Sequence, residues 1–302
     1  MNTSKKFKEV LGCKYPIVAM AMNQVSDINL AKAVRIAGGI PSLSIYTYPK
    51  DNKISKLEQD LTEYKSIFND LKIFVSIGVT ELIIPELLKL IVDLNVEFVE
   101  LINDGREEFD YDEDKNVKKI EAMKVLTANN IKIFTKCLSP IDIIPNIDGI
   151  IIKGIDGAGR GFYNTSKLFN HIHEKYPGLD IIVSGGVGTA KQVQYYMENG
   201  ALAIGVGTLL AASEESVVST ETKLKLVDAT SNDLTRFSVG AKQNSIVFEE
   251  VEDTDYNHTK GLKLAIKNPQ AGHIFAGTSI NNVTAIKPVA VIIKELTANL
   301  NL

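Results

Sequence analysis

Cysteine and histidine are scarce in this sequence, and their scarcity argues against two kinds of site. The 302 residues include two cysteines, Cys13 and Cys137, and four histidines. The cysteines stand far apart with no CxxC pair, so the pattern fits a reducing cytoplasm and not a disulfide framework. We therefore expect a cytoplasmic protein. Because the histidines are few and the cysteines do not cluster, we also expect no metal site.

Long apolar runs and a strong charge imbalance are also missing. No run approaches the roughly 20 apolar residues of a membrane span, and residues 17–22 are too short for the apolar part of a secretion signal. The 33 basic and 37 acidic residues give a net charge of −4, which does not favour a polyanion-binding surface. We therefore expect neither a membrane nor a nucleic-acid partner.

What the sequence does contain is a regular alternation of short apolar runs and helical patterns. Eight runs are predicted as strands, at residues 15–20, 42–46, 73–77, 98–102, 131–136, 149–154, 181–183 and 203–208. Eight such units favour an α/β fold of the (β/α)8 TIM-barrel type. An open doubly wound sheet is the alternative, but the GxGxxG motif that belongs after its first strand is absent.

The region after the eighth predicted strand breaks this alternation. Residues 213–275 are polar and mixed, with an extended segment predicted near residues 244–251, whereas residues 280–300 read as a terminal helix. We interpret residues 213–275 as an insertion after strand eight that forms a lid at the barrel mouth. The prediction is a single domain over residues 1–302 with a C-terminal helix.

Two glycine-rich turns follow the last two predicted strands. The first is Ser184, Gly185 and Gly186, and the second is Gly205, Val206, Gly207 and Thr208. Glycine turns at the carboxyl ends of neighbouring parallel strands leave backbone N–H groups pointing at one spot, where they can hold a phosphate. In a TIM barrel this position is the common phosphate site.

Residues near the carboxyl ends of other strands are further candidates, because barrel chemistry takes place at that face. They are Met22, Ser76, Glu100, Lys136 and Lys153. Two lysines in a barrel mouth need an anionic partner, which a flavin or a sugar phosphate would supply. Schiff-base chemistry at either lysine, or a structural ion pair with Glu100 or Asp156, is an alternative.

The order of motifs resembles the nitronate monooxygenase family, also called 2-nitropropane dioxygenase-like proteins. The matching pieces are Leu11-Gly12, Tyr15-Pro16-Ile17, Ala21-Met22, residues 30–39, residues 153–161, Ser184-Gly185-Gly186-Val187, Gly200-Ala201, residues 205–208 and Ala271-Gly272-His273. The likeness spans nearly the whole chain.

This resemblance implies FMN as the cofactor, O2 as electron acceptor and a small-molecule substrate. Met22 would lie beside the flavin ring, the two glycine turns would hold its phosphate, and Lys136 and Lys153 would approach the ring and ribityl chain. It also implies contacts from Ser76, Ala158 and Gly159. A homodimer is one candidate assembly.

The sequence departs from the family at the position of its presumed base. The family usually has histidine at the end of the sixth loop, where this chain has Arg160, and it usually has glutamine at Lys153 and asparagine near Ser76. Arginine stays protonated, so it can grip an anion but cannot abstract a proton. We therefore predict a substrate that arrives as an anion, with Arg160 and His273, a substitute base, as catalytic candidates.

Three other functions stay open at this point. An FMN-dependent enoyl reductase is one, although the acidic loop at residues 104–114 would disfavour large polyanionic substrates. A flavin-free phosphosugar isomerase or lyase using Lys136 or Lys153 is the second. The third is an FMN-binding relative without catalytic activity.

Overall fold

Eight parallel strands form one closed sheet in the computed structural model, which describes residues 3–102, 113–140, 146–237, 243–247, 258–267 and 271–302. The strands are β1 (Ile17–Ala19), β2 (Ser42–Ser44), β3 (Phe74–Gly78), β4 (Phe98–Ile102), β5 (Lys132–Cys137), β6 (Gly149–Lys153), β8 (Asp180–Ser184) and β9 (Ala203–Val206). Their spatial order is β1-β9-β8-β6-β5-β4-β3-β2. The ring closes where the Ala19 N–H donates to the Ile40 carbonyl at 2.8 Å. The predicted (β/α)8 barrel is confirmed.

Helices surround the barrel and continue into the region after β9. They are α1 (Thr3–Val10), α2 (Ile28–Ile36), α3 (Lys53–Phe68), α4 (Pro85–Leu94), α5 (Glu113–Ala128), α6 (Thr165–Lys175), α7 (Ala190–Glu198), α8 (Thr208–Ala211), α9 (Thr220–Asp228), α10 (His258–Lys267) and α11 (Val289–Leu296). The Thr189–Gln192 capping box that the sequence predicts does start α7. The Thr189 side chain accepts the backbone N–H of Gln192, and the Gln192 side chain accepts the backbone N–H of Thr189. None of the helices in the described ranges has the length and apolar character to cross a membrane.

The barrel interior is built in layers because alternate residues of each strand point inward. Phe74, Phe98 and Phe134 form an aromatic layer, with ring centroids 5.0 and 5.3 Å from Phe74. Ser76 pairs in register with Glu100 one step further along β3 and β4, and Gly78 pairs with Ile102 at the strand ends. This layering decides which side chains reach the mouth of the barrel.

A small antiparallel sheet stands beside the barrel mouth. It consists of β7 (Gly159–Arg160), β10 (Thr235–Phe237), β11 (Gln243–Val247) and β12 (His273–Phe275), with β11 paired to the other three. The sheet therefore joins β10, β11 and β12 to the loop that carries Arg160. The lid role of residues 213–275 stays a prediction.

Two sequence predictions meet different outcomes at the end of the chain. The terminal helix starts at Val289 and not at residue 280, because Pro288 has no N–H to donate inside a helix and stands at its N-cap. Residues 278–282 form a single 3-10 turn instead. The extended segment predicted near 244–251 is present as β11 up to Val247, and residues 248–251 and most of the acidic loop lie outside the described residues.

Candidate functional site

A cavity lies at the carboxyl ends of the barrel strands, where the sequence places the chemistry. Its volume of about 480 Å³ is within the roughly 300–1,000 Å³ of typical small-molecule pockets. Most of the residues predicted for the site line this cavity: Met22, Lys136, Lys153, Ala158, Gly159, Arg160, Ser184, Gly185, Gly186, Gly205, Gly207 and Thr208.

Three of the predicted residues are not on the cavity wall. Ser76 is fully buried one layer below Gly78, which lines the cavity in its place. Val206 is buried between the two wall residues Gly205 and Gly207, because successive strand residues face opposite sides. His273 is fully buried in β12, with its ring 5.1 Å from that of Phe275. The structure does not bring these three side chains to the cavity.

The first glycine turn forms a tight corner with bare backbone donors. Gly185 and Gly186 have φ values of +107° and +75°, a region that favours glycine. A Cβ on Gly186 would lie 2.6 Å from Thr278 Oγ1 and 2.7 Å from Asp156 Cβ, so the corner has no room for a side chain. The Gln192 side chain accepts the N–H groups of Gly188 and Thr189.

The N–H groups of Gly186 and Val187 are not used in this way. Within the described part of the chain no acceptor bonds to either of them, although Val187 is only 3% exposed. Both residues line the cavity, so these N–H groups can bond an external acceptor there, such as a phosphate.

The second turn follows β9 on the neighbouring strand. A Cβ on Gly205 would lie 2.4 Å from Met20 Sδ, whereas one on Gly207 would have ordinary contact with Met22 at 3.6 Å. Thr208 Oγ1 accepts the N–H of Gly277 at 3.0 Å, which ties this turn to the segment after β12. The two turns and the Met20–Met22 segment thus meet at one end of the cavity.

The cavity wall also carries three cationic side chains, those of Lys136, Lys153 and Arg160. Lys136 Nζ lies 2.8 Å from Glu100 Oε1, and the Glu100 side chain is 1% exposed. Among the described residues, neither Glu100 oxygen makes a hydrogen bond of regular geometry, so the contact with Lys136 is an ion pair by distance. Ser76 Oγ, at the same level of the barrel, has no hydrogen-bond partner among these residues either. Lys136 is therefore the anchor of a buried ion pair, as one alternative reading of the sequence predicted.

No carboxylate among the described residues forms an ion pair with Lys153. Its ammonium donates to the Ala158 carbonyl at 2.8 Å, and the side chain lines the cavity. Burial is the main reason why the pKa of Lys153 falls from 10.5 to about 7. The charges of Lys136 and Arg160 act in the same direction, and the charge of Glu100 opposes them.

Arg160 reaches the wall from the loop between β6 and α6. Its backbone pairs with Gln243 of β11, so the small sheet fixes the position of this loop. The sequence gives Arg160 as a site residue but contains no local signal for this pairing, because the two strands lie more than 80 residues apart.

Several wall residues were not predicted from the sequence. Tyr46 and Gly78 stand at the ends of β2 and β3, where the Tyr46 hydroxyl donates to Glu81 Oε2 at 2.6 Å. A Cβ on Gly78 would lie 2.3 Å from both of these atoms. Leu262, Ile274 and Phe275 complete the wall from the region after β9.

The fold has close structural counterparts at low sequence identity. A mutant of FabK from Thermotoga maritima superposes with a TM-score of 0.80 at 20% identity, covering 98% of this chain and 95% of that one. Nitroalkane oxidase from Streptomyces ansochromogenes gives 0.74 at 16% identity, covering 98% and 97%. The enoyl reductase domain of MlnA from Bacillus amyloliquefaciens gives 0.69 at 14% identity, covering 97% and 95%. At these identities the likeness establishes the fold alone.

The sequence itself identifies the family. No curated protein matches the chain by sequence. The family model described as nitronate monooxygenase matches residues 49–299, which is most of the chain. The chain therefore belongs to the nitronate monooxygenase family, whose members are flavin-dependent oxidoreductases.

Proposed function

We propose that this chain is an FMN-dependent enzyme that oxidises a small, anionic, nitronate-like substrate with O2. One observation carries the proposal: the described cavity wall bears Lys136, Lys153 and Arg160 but neither a carboxylate nor an imidazole. A wall of this kind attracts an anion and lacks the carboxylate or imidazole that usually ionises a neutral carbon acid. The neutral amine of Lys153 is the remaining base on the wall, and turnover of a neutral nitroalkane tests it.

The residues present fit FMN. The unpaired donors at Gly186 and Val187 suit its phosphate, and Gly207, where a Cβ would meet nothing nearer than 3.6 Å, leaves room for close approach of a ligand to the backbone. Met20, Met22 and Val25 offer an apolar face for a flat ring on the same side of the cavity. When bound, FMN supplies the redox chemistry, taking electrons from the substrate and passing them to O2.

Arg160 is the residue that we assign to the substrate. A guanidinium stays charged at every working pH and can bind the two oxygens of a nitronate through paired hydrogen bonds. The pairing of its backbone with β11 holds it in place. Its part is to orient the substrate and to stabilise its charge, and the proton has already left before binding.

The cofactor assignment has a direct test. We expect the purified protein to be yellow, with the visible absorbance of oxidised flavin, and to be bleached without O2 by a pre-ionised nitronate such as that of nitroethane. The colour should return when air is admitted. A colourless protein that FMN cannot reconstitute would contradict the proposal and favour a flavin-free isomerase or lyase.

The Arg160→Met variant is expected to lose about 100-fold in kcat/KM for the nitronate, equivalent to about 2.7 kcal/mol of transition-state stabilisation. Arg160→Lys should lose less, because it keeps the charge but not the two-pronged geometry. Steady-state oxygen consumption measures both.

The neutral nitroalkane is the matched control substrate for these assays. The wild-type enzyme should turn it over far more slowly than the nitronate. Equal rates on both forms would mean that a wall group removes the proton, and the anionic-substrate proposal would be wrong. Reduction of an enoyl thioester without any nitronate turnover would instead favour the enoyl reductase alternative.

A further inference from the structure

A short segment after β12 packs against the first glycine corner of the cavity. It comprises Gly277, Thr278 and Ser279, and it follows β12 on the way to α11. A Cβ on Gly186 would lie 2.6 Å from Thr278 Oγ1, and a Cβ on Gly188 would lie 3.0 Å from the Cβ of Ser279. The segment is therefore in direct contact with the corner whose N–H groups line the cavity.

Two other loops of the barrel hold this segment in place. The Gly277 N–H donates to Thr208 Oγ1 at 3.0 Å, in the second glycine turn. The Thr278 N–H donates to the Asp156 carbonyl at 2.8 Å, in the loop after β6. A Cβ on Gly277 would lie 2.6 Å from the same carbonyl oxygen, so the two backbones are in close contact. These bonds fix the position of Ser279 without using its hydroxyl.

The Ser279 hydroxyl is a buried polar group that the fold itself does not use. Ser279 is 5% exposed and lines the cavity. Its hydroxyl forms no hydrogen bond with the described residues, whereas its carbonyl accepts the Asn282 side-chain amide. Unlike Ser76 Oγ, the Ser279 oxygen is not fully enclosed, so the small accessible part of this residue includes it. A buried hydroxyl that lacks a partner and is open to a cavity indicates a ligand.

Three hydrogen-bond donors from two separate parts of the chain thus meet at one corner. The backbone N–H groups of Gly186 and Val187 have no acceptor among the described residues, and the Ser279 hydroxyl lies on the same part of the cavity wall. A single neutral carbonyl or hydroxyl oxygen has only two lone pairs, too few for three donors. A phosphate monoester presents three charged oxygens on one atom, so this set of donors favours a phosphate.

We infer that Ser279 is a cofactor-binding residue whose hydroxyl donates to the phosphate of FMN beside the N–H groups of Gly186 and Val187. This inference rests on the proposed function in one respect, since it takes FMN to be the ligand of the cavity. The sequence assigns the phosphate to the two glycine turns alone, and Ser279 adds a side-chain donor from the segment after β12. Ser279 then contributes to a preference for FMN over riboflavin, which has no phosphate.

The ratio of the riboflavin and FMN dissociation constants tests this assignment in the full-length protein. Titration of each flavin into the flavin-free protein, followed by quenching of flavin fluorescence, gives both constants. We expect Ser279→Ala to lower the ratio at least about tenfold, because one hydrogen bond to a charged group is lost. Ser279→Cys should lower it as much, since a thiol keeps the shape of the side chain but is a weak donor.

Ser216→Ala is the matched control for these variants. Ser216 is 6% exposed, but its hydroxyl accepts the Val218 N–H and the residue lies outside the cavity. Its replacement should change the ratio by less than about twofold, even if it lowers the stability of the protein. A change as large as that in Ser279→Ala would show that any substitution of a buried serine alters the preference for FMN, and the inference would be wrong.

The outcomes separate this inference from the proposed function. If the wild-type protein binds FMN but the Ser279 variants keep its ratio, or lose affinity for both flavins equally, Ser279 does not bind the phosphate and the FMN assignment stands. If the wild-type protein binds neither flavin, both the inference and the proposed cofactor are wrong. A ratio that falls only in the Ser279 variants establishes the assignment, whether or not the protein turns over a nitronate.

Discussion

Replacing Glu100 with glutamine is expected to lower the free energy of unfolding by about 3 kcal/mol, near the lower end of what breaking a buried ion pair costs. Glu100 is fully buried beneath the cavity floor and pairs with Lys136 of the cavity wall. The glutamine has the same shape, so the loss would report charge and not packing. Lys136 would remain largely buried without its countercharge.

The Lys287–Glu295 pair provides the matched control. Its ion-pair distance is also 2.8 Å, but the Glu295 side chain is 55% exposed against 1% for Glu100. Glu295→Gln should therefore cost less than about 1 kcal/mol. Urea unfolding followed by circular dichroism measures both variants. Equal losses in the two would show that burial does not set the energy of the Glu100 pair.

A double-mutant cycle completes this test. Removing Lys136 together with Glu100, as Glu100→Gln with Lys136→Met, should restore much of the lost stability, because no buried charge is left without a partner. Glu100→Gln alone has a second consequence, since the Glu100 charge raises the pKa of Lys153. Its removal should lower the pKa of Lys153 further.

The barrel could be predicted because its signals are local. Short apolar runs such as Phe98–Ile102 are buried on both faces, and glycine or asparagine ends most of the helices between them. The glycine corners at residues 185–186 and 207–208 were visible for the same reason. Each of these signals depends on a few consecutive residues, because the fold requires a particular side-chain size or backbone conformation at that point.

The depth of a side chain in the barrel could not be predicted as well. Ser76 and Glu100 stand near strand ends in the sequence, but each lies one inward-facing step below the residue that reaches the mouth. Gly78 and Ile102 occupy those mouth positions. A strand pattern with period two identifies the inward face, whereas the level of each residue depends on how the strands are staggered around the ring.

Contacts between distant parts of the chain could not be predicted from the sequence. The pairing of β7 with β11 brings Gln243 beside Arg160, and Leu262 and Phe275 join the cavity wall from the predicted lid. No sequence motif predicts these contacts, because they depend on long-range strand pairing. The motif order nevertheless predicted the right family, because it depends on the positions of residues along the chain and not on contacts between them.

The Gly186→Ala variant is expected to weaken FMN binding about 100-fold. Gly186 has φ +75°, and a methyl group there would lie 2.6 Å from Thr278 Oγ1 and 2.7 Å from Asp156 Cβ. The corner must shift to relieve these contacts, and the N–H groups of Gly186 and Val187 shift with it. Losing charge-assisted bonds to a phosphate dianion accounts for about 2.7 kcal/mol, the equivalent of a 100-fold change.

The Gly178→Ala variant separates this effect from backbone strain. Gly178 also has a left-handed φ, +92°, but a Cβ there would meet nothing within 4 Å, and the residue lies outside the cavity. It should lose about 1 kcal/mol of stability, the usual cost of an L-residue in this conformation, and keep full FMN affinity. Quenching of flavin fluorescence on titration into the flavin-free protein gives the dissociation constants.

Riboflavin decides which part of the cofactor the corner holds. It has the same ring and ribityl chain as FMN but no phosphate, so Gly186→Ala should change its affinity by less than about threefold. If FMN and riboflavin lose affinity equally, the corner acts on the ring or on the overall shape of the cavity, and the assignment of the Gly186 and Val187 donors to a phosphate is wrong. A loss confined to FMN would instead tie the two unpaired donors of this corner to the phosphate, because the two ligands differ in nothing else.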